Sequence, residues 1–215
     1  MSKATDPVPG SFPDLRWFGL GWLVLYVPAY AQAYGAANFL FLCNIGVLLT
    51  AAGLSLRSRL LLSSQAVAAP VIALAWMLDA GWRVATGDFL YGGTAYMWDD
   101  AYPLFTRLLS LYHLAWPLLL AWVLRRTGYD ARGWPCQAAI AALALVAGRW
   151  LGTPVENINF AWKDPFFGRQ FGPVLLHLLV CWSLLAGIGY GATHCLLRWM
   201  FPGPARQTIP KRRLG

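Results

Sequence analysis

"NFLFLCNIGVLLT", residues 38–50, is an apolar run with Cys43 and Asn44 side by side near its centre. An amide in an apolar medium is costly unless it is hydrogen-bonded. The pair therefore needs partners, and the rest of the chain decides which medium supplies them.

Working outward, the apolar character persists. Of 215 residues, 58% are hydrophobic and 12% charged, with a mean hydropathy of +0.50. A soluble domain is usually about 25% charged. Several runs approach the ~20 residues that a membrane-spanning helix needs. The sequence predicts an all-α fold, a polytopic membrane helical bundle of about six transmembrane helices. The spans fall near 16–34, 36–56, 59–80, 103–125, 134–151 and 172–199. They make one transmembrane domain over 16–200. A polar, proline-rich tail (1–15) precedes it and a basic tail (201–215) follows it; both are expected to be cytoplasmic. The stretch "WFGLGWLVLYVPAYAQA" also resembles a signal peptide with an Ala-x-Ala end. Asp6, Asp14 and the long preceding segment argue against cleavage, so residues before 36 are kept in the count of spans.

The chain carries 17 Lys+Arg against 9 Asp+Glu. In a membrane protein such an excess reports orientation rather than nucleic-acid binding. With six spans, Arg57, Arg59, Arg125, Arg126, Arg132, Arg198 and the terminal "KRRLG" share one side. Asp79, Asp88, Asp99, Asp100, Glu156 and Asp164 share the other. The expectation is a multi-pass protein of the cell (inner) membrane with both termini cytoplasmic. Membrane lipids are the expected partners, with no nucleic acid. A homo- or hetero-oligomer is left open.

Orientation assigns depth. Cys43 is expected about 10 Å below the outer surface, and His113 about 15 Å, at 1.5 Å rise per residue. Thr106, Ser110, His113 and Pro117 recur at spacings that put them on one helical face. Asp79 closes a span at the outer end, with Arg107, Arg149 and His177 at similar levels. The loop "PVENINFAW" brings in Glu156, Asn157 and Asn159. The inner half reads as mostly plain hydrophobe. Ionisable groups at membrane depth usually face a bundle interior or a wet cavity. An outward-facing polar pocket follows, with Cys43 and His113 as candidate catalytic residues. Asn44, Asp79, Arg107, Ser110, Glu156, Asn157 and His177 are candidate binding residues.

A thiol and an imidazole in one pocket form the minimum acyl-transfer pair. The histidine makes the thiol a nucleophile, and Asn44 or Arg107 could stabilise the oxyanion. Cys43, Cys136, Cys181 and Cys195 form no C-x-x-C pair, which argues against disulfides and zinc. No metal and no cofactor is expected. A metal or haem held by His113, His177, Cys43 and Cys181 would draw on separate spans and ranks below the acyl reading.

"FLFLCNIGVLL" and "PLFTRLLSLYHLAWPLLLAWVL" together resemble the YwaF-type integral membrane proteins of bacteria. That family carries Leu-Cys-Asp/Asn in one helix and a histidine in a later one. It is distantly similar to eukaryotic membrane acyltransferases of ether phospholipids. A further similarity is to the androgen-induced hydrolases of fatty-acid esters. The resemblance covers roughly residues 36–126. It implies Cys43 as nucleophile, His113 as base and Asn44 as polar support, in a lipid acyltransferase or lipid-ester hydrolase. The alternatives are a non-catalytic membrane scaffold, suggested by small-residue faces such as "AAIAALALVAG", or a small transporter subunit. A transporter would need polar residues continuing through the inner half.

Overall fold

The computed structural model describes residues 12–202, and its ordered elements are helices joined by turns. The cleavage question before residue 12 and the basic tail after residue 202 lie outside the described residues. Six helices follow one another: α1 (Arg16–Tyr34), α2 (Leu42–Ser55), α3 (Arg59–Thr86), α4 (Leu104–Thr127), α5 (Gly133–Leu151) and α6 (Val174–Met200). Four of them, α3 to α6, are long and apolar enough to cross a membrane. Leu118, Leu143, Leu151, Leu175 and Ile188 stand exposed on their outer faces. Such surfaces suit lipid, where the helical backbone satisfies its own polar groups. The described chain is all-helical, and four of its helices have the length and hydropathy of membrane spans.

α3 is the central helix and packs on α2, α4, α5 and α6. Leu62, Ala66, Ala69, Ala73, Trp76 and Ala80 recur every three or four residues along it and are all buried. Small side chains at this spacing let helix axes approach closely. Gly133 starts α5 against α3, where a Cβ would lie 2.8 Å from the Ser63 carbonyl carbon. Gly46 does the same for α2. A Cβ there would meet the Trp116 ring at 2.3 Å, and Trp116 completes the contact by donating to Thr50 Oγ1 at 2.9 Å.

Two boundaries differ from the expected ones. The span read as 36–56 is helical only from Leu42. Gly35 turns the chain at φ +78°, a 3-10 turn covers Ala36–Leu40, and Phe41 is extended. The start is fixed from far away: Asn159 Oδ1 accepts the Leu42 amide at 2.8 Å while its Nδ2 donates to the Leu40 carbonyl at 2.8 Å. Cys43 thus sits in the first turn of α2, not two turns into a span. The span read as 59–80 runs on to Thr86. Gly81 lies in open space on the helix surface, and Gly87, in the left-handed conformation, is the residue that ends it.

α4 and α6 are each interrupted. In α4 the turn at Ser110 and Leu111 tightens, with His113 and Leu114 amides bonding three residues back instead of four. Pro117 adds to the disturbance, because its ring crowds the carbonyl of residue 113. In α6 a π-helical turn spans Leu184–Gly189. Such turns release carbonyls from the regular ladder, and the Ala186 carbonyl accepts Trp134 Nε1 at 2.9 Å.

Candidate functional site

The site forms where the C-terminal ends of α1 and α3, the start of α2, the first half of α4 and the loops 87–103 and 152–173 meet. Two adjoining lobes of about 360 and 490 Å³ open there. Cys43, Trp76, His113 and Glu156 line both, together with Phe41, Gly92 and Gly93. The structure therefore brings Cys43 and His113, from helices far apart in sequence, to one cavity.

The geometry fixes the tautomer of His113. Its Nδ1 lies 2.7 Å from the Ser110 carbonyl. A carbonyl only accepts, so Nδ1 carries the proton and Nε2 keeps its lone pair. The ring is clamped between Trp76, parallel at 5.1 Å, and Tyr112 at 4.1 Å. This is a neutral imidazole held in one orientation with a basic nitrogen to offer. Cys43 Sγ is not hydrogen-bonded to it; it lies 3.6 Å from Asn44 Oδ1. A water or a ligand group in the cavity would have to connect the two.

Position also bears on the thiol. Cys43 occupies the second residue of α2, among the amides that open the helix. Asn159 takes the Leu42 amide, and the Phe41 carbonyl takes those of Asn44 and Ile45. The Cys43 amide is left at the open end of the helix, beside its own sulfur.

The other expected residues divide by what they touch. Asn44 is 2% exposed. Its Nδ2 donates to the Asn38 carbonyl, and its Oδ1 accepts from the Tyr26 and Tyr112 hydroxyls. It braces the pocket wall, with one of its two Nδ2 hydrogens committed to the Asn38 carbonyl. Arg107 donates to Asp100 at 2.9 Å and to the Met97 carbonyl at 3.2 Å, its buried Nε has no partner, and it lies outside the cavity lining. Asp79 is fully buried beneath the loop and accepts four hydrogen bonds from it: the amides of Tyr91, Gly92 and Thr94 and the Thr94 hydroxyl. Asp79 thereby shapes the Gly92–Gly93 wall without touching the space.

Ser110 is fully buried. Its carbonyl orients His113 and its hydroxyl bonds Tyr30 OH. Glu156 is exposed at the mouth, with Oε2 accepting from Thr153 at 2.8 Å. Asn157 lines the larger lobe and ties its loop together, through Oδ1 to the Trp162 and Lys163 amides and Nδ2 to the Lys163 carbonyl. His177 does not reach the cavity lining. Its Nδ1 accepts the Phe171 amide and its Nε2 donates to the Phe160 carbonyl, so both nitrogens hold loop backbone.

Sequence reasoning missed three groups. Tyr26, Tyr30 and Tyr34 step one turn apart along α1 and, with Tyr96, Tyr102 and Tyr112, surround the smaller lobe and its floor. Their regular spacing was a usable signal, obscured because membrane aromatics are usually interfacial. Asn159, which seats the Cys43 helix, was placed at the right depth but given no role. The half of the bundle expected to be the inner one is also less plain than expected. Ser63, Ser64, Gln65 and Gln137 are buried there, with Gln65 Nε2 bonding Ser64 Oγ at 2.9 Å and Gln137 Oε1 at 3.2 Å. None of these four lines either lobe.

Among the described residues no group of three or more His, Cys, Asp or Glu could hold a metal ion. No family model, curated protein or solved structure matches the chain.

Proposed function

We propose that the protein is a lipid-ester enzyme, a transferase or hydrolase, whose cavity faces the outer leaflet. The observation that carries this reading is the pairing, in one cavity, of a helix-N-terminal thiol with a histidine whose tautomer leaves Nε2 as a base. The resemblance to YwaF-type proteins and their acyltransferase relatives points to the same pair. In this reading all six helices cross or enter the inner membrane, and the basic loops hold both termini in the cytoplasm.

The chemistry runs in two steps. His113 Nε2 takes the Cys43 proton through a bridging water, and the sulfur attacks the ester carbonyl. In this reading the Cys43 amide, left over at the helix start, is the donor to the oxyanion. Collapse breaks the acyl C–O bond, and the proton on Nε2 passes to the departing alkoxide. Cys43 is then a thioester. Water, or the hydroxyl of a second lipid, gives its proton to Nε2 and attacks the thioester, and the returning proton restores the thiol. A transporter reading draws support from the buried Gln65–Gln137 pair. That pair hydrogen-bonds to its neighbours and lies outside the cavity lining, which favours a packing role.

The test is acylation in vesicles containing phospholipid with an alkyne-tagged acyl chain. Wild type should acquire a hydroxylamine-sensitive label on Cys43 and release lysolipid. Cys43→Ala should acquire none and His113→Ala should label at least a hundredfold more slowly. Labelling that survives Cys43→Ala, or wild type that never labels, would sink the proposal.

A further inference from the structure

The smaller lobe has a wall unlike the thiol side. Tyr30, Tyr34, Trp76, Tyr96 and Tyr102 all line it, and Glu156 stands in the same lining. The rings form one connected cluster: Tyr34 lies 5.1 Å from Tyr30, 5.6 Å from Tyr96 and 4.7 Å from Tyr102, centroid to centroid. Trp76 Nε1 donates to Tyr96 OH at 3.0 Å and locks that pair in place. No lysine or arginine lines either lobe. The neighbouring cation, Arg107, is neutralised by Asp100. Aromatic faces with a carboxylate beside them and no competing cation attract a desolvated organic cation and have nothing to offer an isolated anion.

A second observation narrows the ligand. Tyr34 OH and Asn38 Nδ2 are buried polar atoms without a hydrogen-bond partner, and both residues line this lobe. Buried groups of this kind are normally satisfied. With a small rotation of both side chains toward the lobe, an oxygen carried a few bonds from the cationic nitrogen would satisfy them.

We infer that this lobe binds a compact alkylammonium group carrying a nearby oxygen, of the choline type, as a lipid headgroup or as a free solute. The inference rests on reading the cavity as the ligand site, and it sets the headgroup end of the substrate in a lobe that Cys43 also lines. It requires no covalent step.

The experiment is equilibrium binding of choline to the full chain in nanodiscs of phosphatidylglycerol, followed by Trp fluorescence and calorimetry. Its neutral isostere, 3,3-dimethylbutan-1-ol, serves as control. Choline should bind saturably and the isostere at least tenfold more weakly. Tyr34→Phe should stay within about threefold of wild type, because the ring face persists, and Tyr34→Leu should lose about tenfold. Glu156→Gln should weaken binding severalfold. Equal binding of choline and isostere to the wild type, or no saturable choline binding, would overturn the inference. So would a folded Tyr34→Leu protein that binds choline as wild type does. Phosphatidylcholine nanodiscs separate the two sources: loss of apparent choline affinity identifies the headgroup, and unchanged affinity a solute. Binding is read without turnover. Its failure would leave the thioester assay standing, and a failed thioester assay would leave the binding curve standing.

Discussion

Two cysteine–histidine pairs stand in this molecule, and they are opposites. Cys181 and His177 are one turn apart on α6, with sulfur and Nε2 separated by 3.7 Å. Cys43 and His113 lie on different helices, and no hydrogen bond joins them. Contact distance alone would choose the α6 pair. The hydrogen bonds choose the other. Both nitrogens of His177 are spent on backbone of the loop before α6, its ring is fully buried, and it lies outside the cavity lining. His113 spends only Nδ1, and it lines a cavity shared with the thiol. A histidine can act as a base only with a lone pair left over and somewhere to put a substrate.

Substitutions can break this comparison. The largest contrast is chemical. Cys43→Ala should abolish thioester formation, and His113→Ala should slow it by about 10²–10⁴-fold, whereas Cys181→Ala should leave it near wild type. Equal loss at Cys181 would put the reaction on the wrong pair. The next contrast is in stability. His177→Ala removes a fully buried ring and strands the Phe160 carbonyl and the Phe171 amide, at a cost of about 2–4 kcal/mol. Thermal unfolding in detergent should show this drop, with a clearly smaller one for His113→Ala, whose ring bonds a single backbone group.

A subtler substitution sharpens the point. Asn159→Ala frees the Leu42 amide and the Leu40 carbonyl and should cost about 1–2 kcal/mol, as the loss of a helix cap does. Because Asn159 seats the first turn of α2, the same variant should also react more slowly at Cys43 with a thiol reagent. A stability loss with unchanged thiol reactivity would mean that the helix start does not tune the sulfur.

Legibility in the sequence followed what is local. Apolar runs marked the bounds of α1, α4, α5 and α6 to within a few residues, and in α4 to α6 they reach the length and hydropathy a span needs to hide its backbone over a fixed thickness. Polar residues at one depth gave the Cys43–His113 cavity. What was hidden depended on partners far along the chain. The start of α2 is set by Asn159, which no pattern around residue 42 reveals. Asp79 and His177 looked like pocket groups by depth, yet their hydrogen-bonding capacity is spent on loops 12 to 15 residues and 6 to 17 residues away. Gln65 and Gln137 stand 72 residues apart in sequence, and only packing pairs them. Sequence reports where a polar group sits. Structure reports whether it has been used up.

The smallest effect lies at the other end of the bundle, and it tests whether the two ends are independent. Asp130, in the turn between α4 and α5, is held below the usual carboxylate range, first by the Arg132 side chain, which donates to both of its oxygens, and also by the Arg132 amide. A folded-state value below the unfolded one means that this carboxylate stabilises the fold above the unfolded pKa of about 4. The contribution disappears as pH falls from there through the folded value. It is modest, because the Arg132 side chain is 75% exposed and solvent screens the pair. Asp130→Asn should therefore flatten the acid limb of a stability–pH curve slightly below about pH 4, leaving the neutral limb's shape unchanged. Cys43 reactivity at neutral pH should not move. If it does, the turn at Asp130 communicates with the cavity, and the path to examine is α3, which touches this turn through Ser63 Oγ and the Asp130 amide at 3.0 Å and presents Trp76 to His113 at its far end.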